Sequence, residues 1–204
     1  MGVFILNNYV INKNKCVSCM ACYSVCPVQA IEILTDEDGF YFPSIKKDKC
    51  IKCGRCTSIC PINNENNRCF NKKIQVPEIY ACTINNYEIK MNSSSGGMFS
   101  ILADYTLKAN GYICGCILDN NLKTIHIVSN KYDDIKKMQG SKYIQSNIGN
   151  CFLEIKKLLE ENKLVLFSGT PCQVTGLNAF LGKDYDNLIS MYLCKPAIFI
   201  KRIC

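Results

Sequence analysis

The chain has 204 residues with 16 cysteines, is 48% hydrophobic and 20% charged, and carries a formal net charge of +7. Its near-neutral mean hydropathy argues against a disordered or collagen-like chain. No apolar run approaches the roughly 20 residues of an integral membrane segment. The length suffices for one or two cored domains without disulfide staples, and residues 1–10 show neither a basic leader nor a cleavage site. The expected location is therefore a reducing, cytoplasmic one, where thiols serve metals or redox chemistry. The positive charge raises nucleic acid, membrane or an acidic partner as binding targets, yet the lysines are scattered, with Lys46, Lys47, Lys49 and Lys52 the densest run.

The first sixty residues contain an internal repeat. Cys16, Cys19, Cys22 and Cys26 precede Pro27, and Cys50, Cys53, Cys56 and Cys60 precede Pro61. Each reads C-x2-C-x2-C-x3-C-P, the run of bacterial ferredoxins in which the fourth cysteine ligates the other cluster. Three cysteines at this spacing wrap three corners of a cubane, with loop amides turned to the sulfurs. The pattern assigns Cys16, Cys19, Cys22 and Cys60 to one [4Fe-4S] cluster, and Cys50, Cys53, Cys56 and Cys26 to the other. Each fourth cysteine is expected to open a short helix, with its proline at the first helical position. Two zinc ribbons would need CxxC pairs without the third step and the terminal C-P. Strands are expected over 28–34 and 39–45 around a turn at 36–39. This segment resembles a bacterial two-[4Fe-4S] ferredoxin over residues 8–64.

Residues 65–78, polar and asparagine-rich, read as a linker. An α/β pattern follows over 79–204. Its first strand is expected at 80–84. Ser94, Ser95, Gly96 and Gly97 then lead into a helix over 98–109, as an N-cap and loop or as an anion-binding turn. Strands are expected at 112–118 and 123–128. The first carries Cys114 and Cys116 on one face, read as strand cysteines before metal ligands. The second carries the lone histidine, His126, read as a strand residue before a catalytic base. A helix follows over 150–162 with an apolar stripe, then a strand at 164–167. That strand ends at Ser168-Gly169-Thr170-Pro171-Cys172-Gln173, before a helix to about 181. Thr170 suits the N-cap and Pro171 the first helical position, placing Cys172 where a helix start favours thiolate. It reads as a metal ligand, a redox nucleophile or a structural cysteine. A last strand over 188–193 ends at Cys194; ligands gather at such strand ends.

Three segments in order, Ser94 to Ser100, Gly140-Ser141-Lys142-Tyr143-Ile144-Gln145-Ser146 and Ser168 to Gln173, resemble the coenzyme F420 hydrogenase/dehydrogenase beta-subunit family in its version with an N-terminal ferredoxin domain. The resemblance runs from about Cys16 to Cys194. It implies an α+β ferredoxin-like domain followed by an α/β domain, and an iron-sulfur flavoprotein of anaerobes. FAD would lie against Ser94, Ser95, Gly96, Gly97, Gly140, Ser141, Lys142, Gln145, Gly169 and Thr170. A third [4Fe-4S] cluster would involve Cys172 and Cys194. The implied activity is electron transfer between coenzyme F420, or a related carrier, and a ferredoxin-type chain, the chemistry being the cofactors' own. The implied partner is a hydrogenase, reductase or ferredoxin-type subunit.

Family members continue beyond this point and carry a Cys-His-Gly-type segment where this chain reads Cys194-Lys195-Pro196-Ala197, so a shortened α/β domain is expected. The rival readings are a pure two-cluster carrier and a docking subunit without flavin. Two clusters with four thiolates each would lower the formal charge to about +3, which removes the case for nucleic acid.

Overall fold

The structure is a computed structural model that describes residues 15–63, 80–193 and 198–202. The chain forms two compact units, residues 1–73 with 175–183, and residues 74–174 with 184–204.

In the first unit, helix α1 (Ala21–Val25) leads into the antiparallel hairpin of β1 (Ile31–Thr35) and β2 (Tyr41–Ile45), and helix α2 (Arg55–Ile59) follows. The hairpin register pairs Ile31 with Ile45 and Thr35 with Tyr41. Its turn closes by Asp36 N–H donating to the Phe40 carbonyl at 2.9 Å, with Gly39 at φ +87°. Both short helices precede the fourth cysteine of their motif. Cys26 and Cys60 are their C-caps, in extended conformation at ψ 112° and 119°. The expectation that these cysteines open helices is thus overturned. A following proline clashes with helical geometry at the residue before it and ends the helix there.

The second unit is built on a mixed five-stranded sheet in the order β4-β3-β5-β6-β7. Its elements are α3 (Tyr87–Met91), α4 (Met98–Lys108), β3 (Tyr112–Leu118), β4 (Thr124–Ser129), α5 (Tyr132–Met138), α6 (Cys151–Glu160), β5 (Val165–Gly169), α7 (Pro171–Leu181), β6 (Leu188–Leu193) and β7 (Ile198–Arg202). Only the start of α7 belongs to this unit; residues 175–183 belong to the first. β3, β5 and β6 run parallel, and β4 and β7 are antiparallel edges. β5 is buried along its whole length, as a continuous apolar run in a central parallel strand should be.

Successive side chains of β5 serve opposite faces. Leu166 joins Ala103 of α4 and Ile135 and Met138 of α5 in one core. Phe167 meets Phe152 of α6 edge-on, ring centroids 5.9 Å apart.

The strand expected at 80–84 is absent. Those residues are mostly exposed, and Ile84 N–H donates to the Gly96 carbonyl at 2.7 Å, outside any ladder. Helices α3 and α5 and strand β7 were not expected from the sequence.

Candidate metal centres and the sheet-edge motifs

The 34-residue repeat of the sequence is also a repeat of backbone geometry. Ser18 and Lys52 both adopt positive φ, at 52° and 54°, as do Met20 and Gly54, at 61° and 74°. Ser18 N–H donates to Cys16 Sγ and Lys52 N–H to Cys50 Sγ, each at 3.4 Å. Cys26 and Cys60 close their turns on the Tyr23 and Thr57 carbonyls, again at equal lengths of 3.4 Å. Left-handed residues turn the loop so that cysteines with two residues between them face one centre, and amides reach the sulfurs. Ala30 N–H adds a contact to Cys26 Sγ at 3.2 Å.

Two cavities result. The first, with about 440 Å³ of empty space partly open to solvent, is lined by Cys16, Cys19, Cys22 and Cys60, with Met20, Ile33, Phe42 and Pro43 among its apolar walls. The second, of about 350 Å³, is lined by Cys26, Cys50, Cys53 and Cys56, with Val28, Ala30, Ile31 and Ile45. Each ring thus combines three cysteines of one motif with the fourth of the other. Among the described residues, no group of three or more His, Cys, Asp or Glu side chains could hold a lone metal ion. Cysteines spread around a cavity suit a polynuclear cluster better than a tetrahedral zinc site.

The rings differ in exposure. Cys19, Cys22 and Cys60 are buried, whereas Cys53 is exposed and Cys50 and Cys56 are half-buried. Burial pushes the Cys22 thiol well above its ordinary pKa, reinforced by Cys19, Cys16, Cys60 and Cys56 in turn. Burial also raises Cys56, with Thr57 opposing. Such thiols ionise most readily against a cation, so metal uptake here releases protons. Ser18 adds a hydroxyl hydrogen bond to the Tyr41 carbonyl. Gly176 of α7, in the first unit, lies so close to Cys19 that an added Cβ would come within 2.8 Å of the Cys19 Cβ. Sequence reading did not single out Gly176; its signal is a glycine inside a helix.

In the second unit, the three motif segments meet. Ser141 N–H donates to Ser94 Oγ at 2.7 Å, and Gln139 Nε2 to Ser100 Oγ at 2.9 Å. Gln173 joins the other two segments, its Nε2 donating to Ser146 Oγ at 2.9 Å and its Oε1 accepting from Thr170 N–H at 3.0 Å. The second bond is half of a capping box, with Thr170 at the N-cap and Gln173 three residues on. Ser146 closes a segment expected to meet a flavin, whereas Gln173 was expected only as part of the motif that carries the resemblance.

Several residues expected to contact a flavin are engaged by the chain itself. The Lys142 ammonium donates to the carbonyls of Lys137, Gln139 and Gly140, at 2.7, 2.7 and 3.2 Å. An added Cβ on Gly96 would collide with the Cys82 carbonyl, and one on Gly97 with Ile84. Gly97 is the left-handed N-cap of α4, at φ +82°. Gly169 packs against Phe167 and Gln173, and the Gln145 carbonyl accepts from Thr124 Oγ1 at 2.6 Å. The exposed members are Ser94, Ser95, Ser141 and Thr170, with Gly140 at φ +76° beside open space.

The remaining thiols divide. Cys172 Sγ lies 3.0 Å from Thr170 Oγ1, while Cys194 lies outside the described residues. Cys114 and Cys151 are core thiols. Burial, then the hydrogen bond to Cys151, lifts Cys114 well above its ordinary pKa, and Cys151 Sγ donates to the His126 carbonyl at 3.2 Å. His126 Nε2 lies 3.1 Å from the Ser168 carbonyl, and its ring stacks on Phe167.

Residues 15–64 match the family model of the 4Fe-4S dicluster domain, and residues 47–83 that of a 4Fe-4S binding domain. No curated protein matches the chain. Both family matches end by residue 83, and among the described residues no helix is long and apolar enough to cross a membrane. The chain carries a ferredoxin-type iron-sulfur domain of the electron-transfer kind, followed by an α/β region with a mixed sheet.

Proposed function

We propose that the chain is a two-cluster electron-transfer protein in which Cys16, Cys19, Cys22 and Cys60 hold one [4Fe-4S] cluster and Cys50, Cys53, Cys56 and Cys26 the other. The observation that carries this is the crossed composition of the two rings around their separate cavities. Bound there, the clusters supply one-electron chemistry at potentials set by charge, hydrogen bonds to sulfur and exposure. The protein's part is to fix the thiols, aim amides at them and shield the first ring. The test exploits the crossing. Cys26→Ser should remove the cluster of the second motif, and Cys60→Ser that of the first, each leaving about four of about eight irons per chain. Paramagnetic resonance of the reduced variants then identifies which cluster survives. If Cys26→Ser instead disturbs the cluster of Cys16, Cys19 and Cys22, the crossed assignment is wrong.

A second reading makes the chain an iron-sulfur flavoprotein that passes electrons between coenzyme F420, or a related carrier, and a ferredoxin, hydrogenase or reductase partner. What favours it is the meeting of the three motif segments through Ser94–Ser141 and Ser146–Gln173–Thr170. The internal use of Lys142, Gly96 and Gly97 weighs against them as flavin contacts; Ser94, Ser95, Ser141 and Thr170 are better placed to meet a phosphate. A third cluster at Cys172 would belong to this reading and raise the count to about twelve irons. Titration of the anaerobic, iron-loaded chain with FAD decides, since a pure carrier binds none.

A further inference from the structure

The lysine run of residues 46–52 has no part in either reading. Lys46, Lys47, Lys49, Lys52 and Arg55 are all exposed and follow one another around the second cysteine ring. Lys52 and Arg55 line its cavity, and Lys52 N–H reaches Cys50 Sγ. Among the described residues, Lys46 alone of these five has an ion-pair partner, Glu32 at 2.7 Å, and Asp48 is the one acid within the run. In the middle stand the exposed Cys53 and Ile51, the latter 61% exposed.

The opposite end of the hairpin carries three of the five acids among this unit's described residues; the other two, Glu32 and Asp48, lie at the basic end. Asp36, Glu37 and Asp38 form its turn, beyond Thr35 and Tyr41, whereas the basic run begins at the end where Ile31 pairs with Ile45. Four residue steps of strand separate those ends, roughly 13 Å. The hairpin is therefore charge-polarised, positive beside the more exposed cysteine ring and negative at its turn. A solvated lysine face would have no reason to centre on the more exposed of the two rings. Such a field attracts and orients an oppositely charged partner.

We propose that the surface around Ile51 and Cys53 docks an acidic one-electron carrier protein, whose anionic rim meets Lys47, Lys49, Lys52 and Arg55. This rests on the reading that the second ring holds a cluster. The first ring is less accessible: Cys19, Cys22 and Cys60 are each at most 9% exposed, and Cys16 is half-buried.

The test uses the full chain, iron-loaded under anaerobic conditions, and a fluorescently labelled acidic flavodoxin as the probe. Anisotropy should show binding at about 50 mM salt that weakens at least ~10-fold by about 500 mM. Lys47→Glu/Lys49→Glu, outside the cysteine loop, should weaken low-salt binding about 10-fold, while Lys156→Glu/Lys157→Glu on α6 should change it less than about twofold. Basic cytochrome c should not bind. The proposal is overturned if the first double variant binds like wild type, if cytochrome c binds equally well, or if duplex DNA or vesicles of phosphatidylserine and phosphatidylcholine displace the flavodoxin. Iron measured on the same samples reads the ring assignment separately. An iron-loaded chain that ignores flavodoxin sinks the docking face alone, and a chain that takes up no iron sinks the cluster reading beneath it.

Discussion

His126 shows how much one buried side chain can depend on residues distant in sequence. It is 6% exposed, and burial pushes its imidazole pKa down to about 4, against a weaker opposing effect of the Ser168 carbonyl. That carbonyl can only accept, so Nε2 carries the proton, and Nδ1 is a buried acceptor with no hydrogen-bond partner. Protonation would place a charge beside Phe167. Because the folded pKa lies below the unfolded value of about 6.5, the unfolded chain binds more protons between pH 6.5 and pH 4. The contribution of the neutral ring is complete above about pH 6.5 and is lost as pH falls towards 4, about 3 kcal/mol in all. His126→Phe should therefore flatten the fall in urea-unfolding stability of the second unit between pH 7 and pH 4.5. Equal slopes in the two proteins would show that His126 is not the group responsible. The position of His126 on a strand is legible in the local alternation of residues 123–128. Its burial is not, because Phe167 and Ser168 come some forty residues later in the chain.

Among the elements, those with long apolar patterns were the legible ones. Helices α4 and α6 and strands β3, β5 and β6 fall within a residue or two of expectation, because each must bury one face, or both, in the sheet core. Helices α3 and α5 have only five and seven residues, too short for a periodic signal to emerge. Residues 80–84 alternate like a strand but pair with no strand among the described residues. The start of α7 was legible from Thr170 and Pro171, yet the role of Gln173 was not, since its other partner, Ser146, lies in a separate loop. Gln173 is buried, so Gln173→Ala would leave both Thr170 N–H and Ser146 Oγ short of a partner. A loss of about 2 kcal/mol is expected. Ser146→Ala keeps the Gln173 acceptor for Thr170 and should lose less, which calorimetry of the two variants would resolve. Equal losses would mean that the Ser146 contact carries the effect.

At the scale of the whole molecule, the two units are stabilised by different means. The second has an apolar core on each face of its sheet, with Phe152, Ile155, Val165, Leu166, Phe167 and Met191 fully enclosed. In the first, the buried apolar residues beside the cysteines are few, Met20, Ala21, Ala30, Ile31 and Ile45, and its α7 segment adds Leu177 and Leu181. Its interior is chiefly two cavities ringed by thiols. A small domain of this kind draws its folding free energy from bound metal. Removing iron with a chelator and reductant should therefore act on the units unequally. Hydrogen exchange should accelerate at least ~10-fold across α1, the β1–β2 hairpin and α2, while the amides of β5 and β6 exchange within about twofold of their iron-loaded rates. Iron restored with sulfide should return the protection. Were α1 and the hairpin to stay protected without iron, the apolar wall of Ile31 and Ile45 would have to hold the unit by itself. The cysteine rings would then be occupants of a preformed fold rather than its core.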